Sequence, residues 1–267
     1  MGGDTTVFPP QKSLAGLQSS DIVNNNIKYG ASLFEDYATV DPASGNFTVG
    51  DYASSAIGSG TLSAFLIEEN HINAFGIAKV SCTTTANSGR EMTSYIGDKV
   101  LRGGEVFKTS VRFPSLSSDV VARLGFFINT DYTRLIVGKT VKSGAYFDLS
   151  NGVLVGKITL NGVSVTTNGS FTPVSTVGKY YRLEVSTEWT GVSSGTLGTP
   201  DDFFATFKIY DGNTLVFSET IRLNYYTGAY GYQYGGSNIV VQSTGTTAKE
   251  VLRIDYIGQY STKEFVR

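Results

Sequence analysis

The sequence has few of the residues that carry catalysis, metal binding or covalent cross-links. Its 267 residues include one cysteine, one histidine, one tryptophan, two methionines and six prolines, and only 16% are charged. A lone cysteine, Cys82, closes no intramolecular disulfide, which fits a protein assembled in a reducing cytosol. His71 and Cys82 sit on different runs and fall short of the ligand set of a zinc site, so no transition metal is expected. No glycine-rich phosphate loop leads into a helix. Lys and Arg number 21 against 23 Asp and Glu, a net charge of −2 without a basic run. Phosphate neutralisation needs clustered cations, so nucleic acid is not an expected partner. No apolar stretch approaches the roughly 20 residues that span a bilayer, so membrane insertion is not expected. Asp4 and Pro9-Pro10 stand where the apolar centre of a secretion signal would be, which reads against export by that route.

What the sequence does have is 31 glycines, 16 tyrosines and 16 phenylalanines. Aromatics favour the half-buried surface of a strand and glycines punctuate its turns, so the composition points to an all-β protein. Phe107, Val111 and Phe113 alternate with polar neighbours. Tyr181, Leu183 and Val185 oppose Arg182 and Glu184, and Leu252, Ile254 and Tyr256 oppose Arg253 and Asp255. A period of two marks sheets with one buried face. Asn151-Gly152, Asn161-Gly162 and Asp211-Gly212 each separate two such runs, and these residues tolerate the positive φ of a tight hairpin. Residues 1–30 differ: Val7-Phe8-Pro9-Pro10 is stiff and extended, and Asn24-Asn25-Asn26 breaks any helix begun by Leu14, Leu17 and Ile22. They are expected to form an extended or anchoring N-terminal arm, a disordered leader being the alternative. No linker divides residues 31–267, which read as one domain, a division near Val100 being the alternative. Three polar stretches, 53–61, 83–98 and 192–202, read as long loops.

One segment points to a setting. Tyr146-Phe147-Asp148-Leu149-Ser150-Asn151-Gly152-Val153, followed some thirty residues later by Tyr180-Tyr181-Arg182-Leu183-Glu184-Val185-Ser186, resembles a recurring virion module. The module is the carbohydrate-binding-like, lectin-type β-sandwich domain of bacteriophage tail fibres, spikes and head fibres. The resemblance covers about a third of the chain. It implies an antiparallel β-sandwich of jelly-roll, concanavalin A-like lectin type, and a non-enzymatic structural protein on the virion surface, assembled in the host cytoplasm. It further implies a homo-oligomer, commonly a trimer, contacts to other virion proteins through the arm, and a face for host-surface polysaccharide. No organic cofactor is expected. A structural calcium would suit the Asp side chains and backbone oxygens of such loops.

Two constellations test this against enzymatic readings. Glu184 and Glu188 lie four apart on one strand, as in laminarinase-like glycoside hydrolases, but Ser186 stands where those enzymes place an aspartate. Their backbones would be about 13 Å apart, whereas a retaining pair needs carboxylates about 5 Å apart. Cross-strand ion pairs with Lys or Arg are the simpler reading. Tyr225-Tyr226-Thr227-Gly228-Ala229-Tyr230-Gly231-Tyr232-Gln233 is similar to the tyrosine strand of alginate lyases. It has Thr227 at the lysine position, and His71 comes too early in the order of motifs. The remaining use of that segment is binding. Tyr225, Tyr226, Tyr230, Tyr232 and Tyr234 can stack on sugar rings while Gln233 hydrogen-bonds ring substituents. The same tyrosines would equally fill a sandwich interior. A polysaccharide-active enzyme and a free-standing bacterial carbohydrate-binding protein are the alternatives to the virion reading. Trp189 shares the parity of the buried residues and is expected in the core or at its edge.

Overall fold

The computed structural model describes residues 32–36, 48–49, 52–68, 71–94, 103–129, 136–160, 162–189, 200–226 and 237–261. They form sixteen strands and, among the described residues, no helix. The expected arm, residues 1–30, lies outside them.

Two eight-stranded antiparallel sheets face each other. The first sheet runs β14 (Thr214–Tyr226), β13 (Pro200–Asp211), β12 (Tyr181–Trp189), β7 (Glu105–Arg112), β16 (Lys249–Ser261), β5 (His71–Cys82) and β4 (Thr61–Glu68). Its eighth strand, β1 (Ser32–Asp36), pairs with the later half of β16. The second sheet runs β11 (Val163–Thr166), β10 (Val153–Leu160), β9 (Val141–Ser150), β8 (Val120–Asn129), β15 (Ser237–Ser243), β6 (Ser88–Ser94), β3 (Tyr52–Ile57) and β2 (Thr48–Val49). Strands on both sides of Val100 share each sheet, with β16 between β7 and β5 and β15 between β8 and β6. This is a β-sandwich of the lectin-like type.

Alternation builds the core. Phe107 and Val111 of β7, Leu183 and Val185 of β12, and Phe207 and Ile209 of β13 point inward from the first sheet. Leu124 and Phe126 of β8, Phe147 and Leu149 of β9, and Leu154 and Ile158 of β10 meet them from the second. Phe147 and Phe207 meet edge to face with ring centres 5.3 Å apart, and Phe107 and Phe126 do so at 6.0 Å. Such pairs each add about 1 kcal/mol beyond the area they bury.

The Asn151-Gly152 turn joins β9 and β10 as its residues require. Ser150 pairs with Val153, and both central residues have positive φ, 51° and 73°. That is the backbone of a two-residue primed turn, whose twist matches its strands. Gly162 (φ 82°) plays the same part between β10 and β11. Between β13 and β14 the turn sits one residue later than the sequence suggests: Asp211 is the last strand residue and pairs with Thr214.

Three sequence expectations need correction. The stretches 53–61 and 83–98 contain most of β3 and all of β6 rather than continuous loops. Both strands are poor in large apolar residues, so their pairing rests on the backbone ladder and leaves no hydrophobic period to read. The third stretch, 192–202, is strand from Pro200 onward. Finally, the alternation of Leu252, Ile254 and Tyr256 breaks at a bulge. Ile254 pairs with Val111, but Tyr256 pairs with Ser110, so Asp255 is the extra residue and Tyr256 leaves the core face. A bulge shifts the side-chain phase by one, and here it returns Ile257 to the interior. The carbonyl of Tyr256 accepts a hydrogen bond from Thr109 Oγ1 at 2.7 Å.

Candidate functional site

The outward face of the second sheet carries a second buried cluster. Phe127 of β8, Tyr146 and Val141 of β9, Val240 of β15 and Ile57 of β3 pack with Ile136 of the β8–β9 connection. The rings of Phe127 and Tyr146 are 5.5 Å apart. They stand opposite two glycines, since Tyr146 pairs with Gly125 and Phe127 with Gly144. A Cβ on Gly125 would lie 2.6 Å from the Ala145 carbonyl oxygen, and one on Gly144 would lie 2.2 Å from that of Phe126. Glycine therefore permits the close approach of β8 and β9 beneath the two rings.

Two side chains hold the β8–β9 connection against this face. Gln242 is fully buried, and its Oε1 accepts hydrogen bonds from the backbone N–H groups of Ile136 (2.5 Å) and Val137 (3.1 Å). Its Nε2 donates to the carbonyl of Asn87 at 2.9 Å, so one amide joins two loops. Arg123 donates from Nη2 to the Lys139 carbonyl (2.9 Å) and from Nη1 to Asn129 Oδ1 (3.2 Å).

Beside the covered part the face opens into a polar group spread over β8, β9, β10 and β11. Asp148 lies directly across from Arg123, with Oδ1 3.5 Å from its Nε, and its other oxygen accepts a hydrogen bond from Lys157 Nζ. The Asp148 and Lys157 side chains keep 15% and 29% of their surface exposed, enough for a ligand to touch them. Tyr146 hydroxyl is 3.3 Å from Thr159 Oγ1, which is 2.8 Å from Ser164 Oγ, so a file of hydroxyls runs from buried Tyr146 to exposed Ser164. Burial pushes the Tyr146 phenol above its ordinary pKa, against the hydrogen bond with Thr159 and the charge of Arg123. It thus stays a neutral donor and acceptor at physiological pH. A carboxylate, an ammonium and hydroxyls on a rigid sheet can hydrogen-bond the hydroxyls of a polar ligand.

Most of the sequence-derived site lies outside the described residues. Tyr225 and Tyr226 end β14, paired with Asp201 and Pro200 of β13. Tyr230, Tyr232, Gln233 and Tyr234 lie outside the described residues, as do the side chains of Tyr225, Tyr226 and Trp189. Glu184 is claimed by two lysines on neighbouring strands, Lys108 at 3.2 Å and Lys208 at 3.7 Å, while Glu188 is exposed. His71 opens β5 opposite Glu68. Among the described residues, no group of three or more His, Cys, Asp or Glu is gathered for a metal ion. The sequence reading missed Asp148 and Lys157 as site residues, although Tyr146 and Asp148 stand in the segment that carries the virion resemblance. Their signal was there: Asp148 has the parity opposite to Phe147 and Leu149, and Lys157 that opposite to Leu154 and Ile158, which places both outward.

No family model and no curated protein matches the chain. Among solved structures, a protein of unknown function from Shewanella oneidensis MR-1 superposes with a TM-score of 0.58 at 14% identity, covering 94% of this chain and 98% of that one. That match shows a shared fold. The chain is also similar to the carbohydrate recognition domain of Emp47p (TM-score 0.49, 14% identity, 92% and 99% covered). A further likeness is to the CBM2 module of the evolved Dit of Lactobacillus casei BL23 phage J-1 (TM-score 0.42, 12% identity, 81% and 100% covered).

Proposed function

We propose that this protein is a non-enzymatic component of a phage virion surface, a fibre, spike or head-decoration subunit, whose sandwich presents a polysaccharide-binding face. The observation that carries this is the coincidence of two independent features. The segment Tyr146–Val153, which resembles the virion module, is also the hairpin that sets Tyr146 and Asp148 into the outward polar group with Lys157 and Thr159. Sugar hydroxyls need paired donors and acceptors held at fixed spacing, and a sheet supplies that without paying for ordering on binding. The engagement of Glu184 by Lys108 and Lys208 supports the non-enzymatic side of the reading. On this reading the subunits associate, as trimers in the manner of related fibres, and the leading residues of the chain contact other virion proteins.

Glycan-array binding with Asp148→Ala and Lys157→Ala variants tests the face: signal on the parent protein that falls strongly in both variants, with the thermal melt retained, is the expected result. Electron microscopy of the native particle tests the setting, and absence of the protein from the particle would overturn it.

A further inference from the structure

The charges of this chain are unevenly placed. The described residues of 120–166, which include β8 to β11, hold four cations (Arg123, Lys139, Lys142 and Lys157) and one carboxylate (Asp148). That sector is therefore +3 in a chain whose net charge is −2. Arg123 and Lys157 both reach Asp148, so one carboxylate is shared by two cations in the middle of the polar group. The backbone of Lys139 lies beside them, its carbonyl bound by Arg123. Lys142 sits at the bulge between β8 and β9, and its carbonyl accepts the N–H of Gly162 from the β10–β11 turn. Arg123, Lys142 and Lys157 thus share one face with the hydroxyl file.

From this we infer the ligand class: the face selects an acidic polysaccharide, one bearing carboxylate or sulfate groups, over a neutral glycan. The inference rests on the glycan-binding reading above and sharpens it. Local positive potential on an otherwise acidic protein raises the encounter rate of a polyanion, and charge-assisted hydrogen bonds from lysine to carboxylate or sulfate are stronger than those to a sugar hydroxyl. The exposed hydroxyls of Ser164 and Thr166 would take the uncharged ring positions. Nucleic acid fits less well, because among the described side chains of this face the aromatic rings, Phe127 and Tyr146, are buried rather than offered for base stacking.

The test measures binding of the whole chain to a polyuronate, a sulfated glycan, a neutral glucan and a DNA oligonucleotide, at low and high salt. The expected result is binding to an acidic glycan that weakens with salt. Lys157→Ala and Lys142→Ala should each weaken it by about tenfold, as for loss of one charge-assisted bond, and Lys157→Arg should restore most of it. Equal, salt-insensitive binding of the neutral glucan would overturn the charge selection and leave the glycan-binding reading standing. Binding of no polysaccharide at all would overturn both. Preference for DNA would overturn the inference.

Discussion

Gly156 on β10 faces the ring of Phe207 across the sandwich, and the space its missing side chain leaves is the space the ring fills. A Cβ at this position would lie 2.5 Å from Phe207 Cγ, and the ring is held in place by its edge-to-face contact with Phe147. Gly156→Val should destabilise the fold by about 1–3 kcal/mol, the usual cost of overpacking a filled core. Denaturant unfolding measures this. A Gly156→Val, Phe207→Leu double variant should recover part of the loss, because the leucine vacates the contested volume.

The amide of Gln242 has a different role from the core. Replacing it with leucine strands the N–H of buried Ile136 and removes the partner of the half-buried Val137 N–H and of the Asn87 carbonyl. A loss of about 2 kcal/mol is expected, in line with buried groups left without partners. Hydrogen exchange reads the local effect: the Ile136 and Val137 amides should lose protection, while Leu124 and Phe147 in the core keep theirs.

Asp119 gives the fold a dependence on acid. Its hydrogen bond from Lys249 holds the carboxyl well below the usual carboxylate range, helped by Ser117 and Ser243 and opposed by partial burial. A pKa lower in the folded than in the unfolded chain contributes stability that is complete at neutral pH. That contribution is lost as the pH falls below about 4, where the unfolded carboxyl takes up its proton first. Asp119→Asn should be less stable than the parent at pH 7, and the difference should shrink progressively in acid. Urea melts at several pH values check this.

Cys82 is buried, and its thiol is pushed up to about 11 by that burial. Alkylation needs the thiolate, so the native protein should react with iodoacetamide at pH 8 far more slowly than the urea-unfolded chain. Mass spectrometry of timed samples distinguishes the two. Rapid modification of the folded protein would show that the β5 end of the sandwich opens readily.

The architecture was legible wherever side chains alternate. Phe107 to Phe113, Tyr181 to Val185 and the Asn151-Gly152 turn each follow from local chemistry, and together they require facing sheets. What escaped the sequence has physical reasons. The face change at Tyr256 depends on a bulge, which no residue type marks. β3 and β6 are strands through backbone pairing with each other and with β15, a long-range contact that leaves little trace in Ala53-Ser54-Ser55-Ala56. The outward site was half visible. Tyr146 and Asp148 carry the right parity, but the pairing of Asp148 with Arg123 and Lys157 comes from strand register, which spans 25 and 9 residues of sequence.

The interleaving of β15 and β16 has a consequence for how the chain reaches this state. Each of these two late strands fills the gap between halves of a sheet that are otherwise separate. During synthesis on a ribosome, β5, β6, β7 and β8 must wait with open edges until nearly all the described chain has emerged. Folding should therefore be slow and largely post-translational, as non-local strand pairing dictates. Nascent chains halted before Ser237 should be captured by chaperones or aggregate.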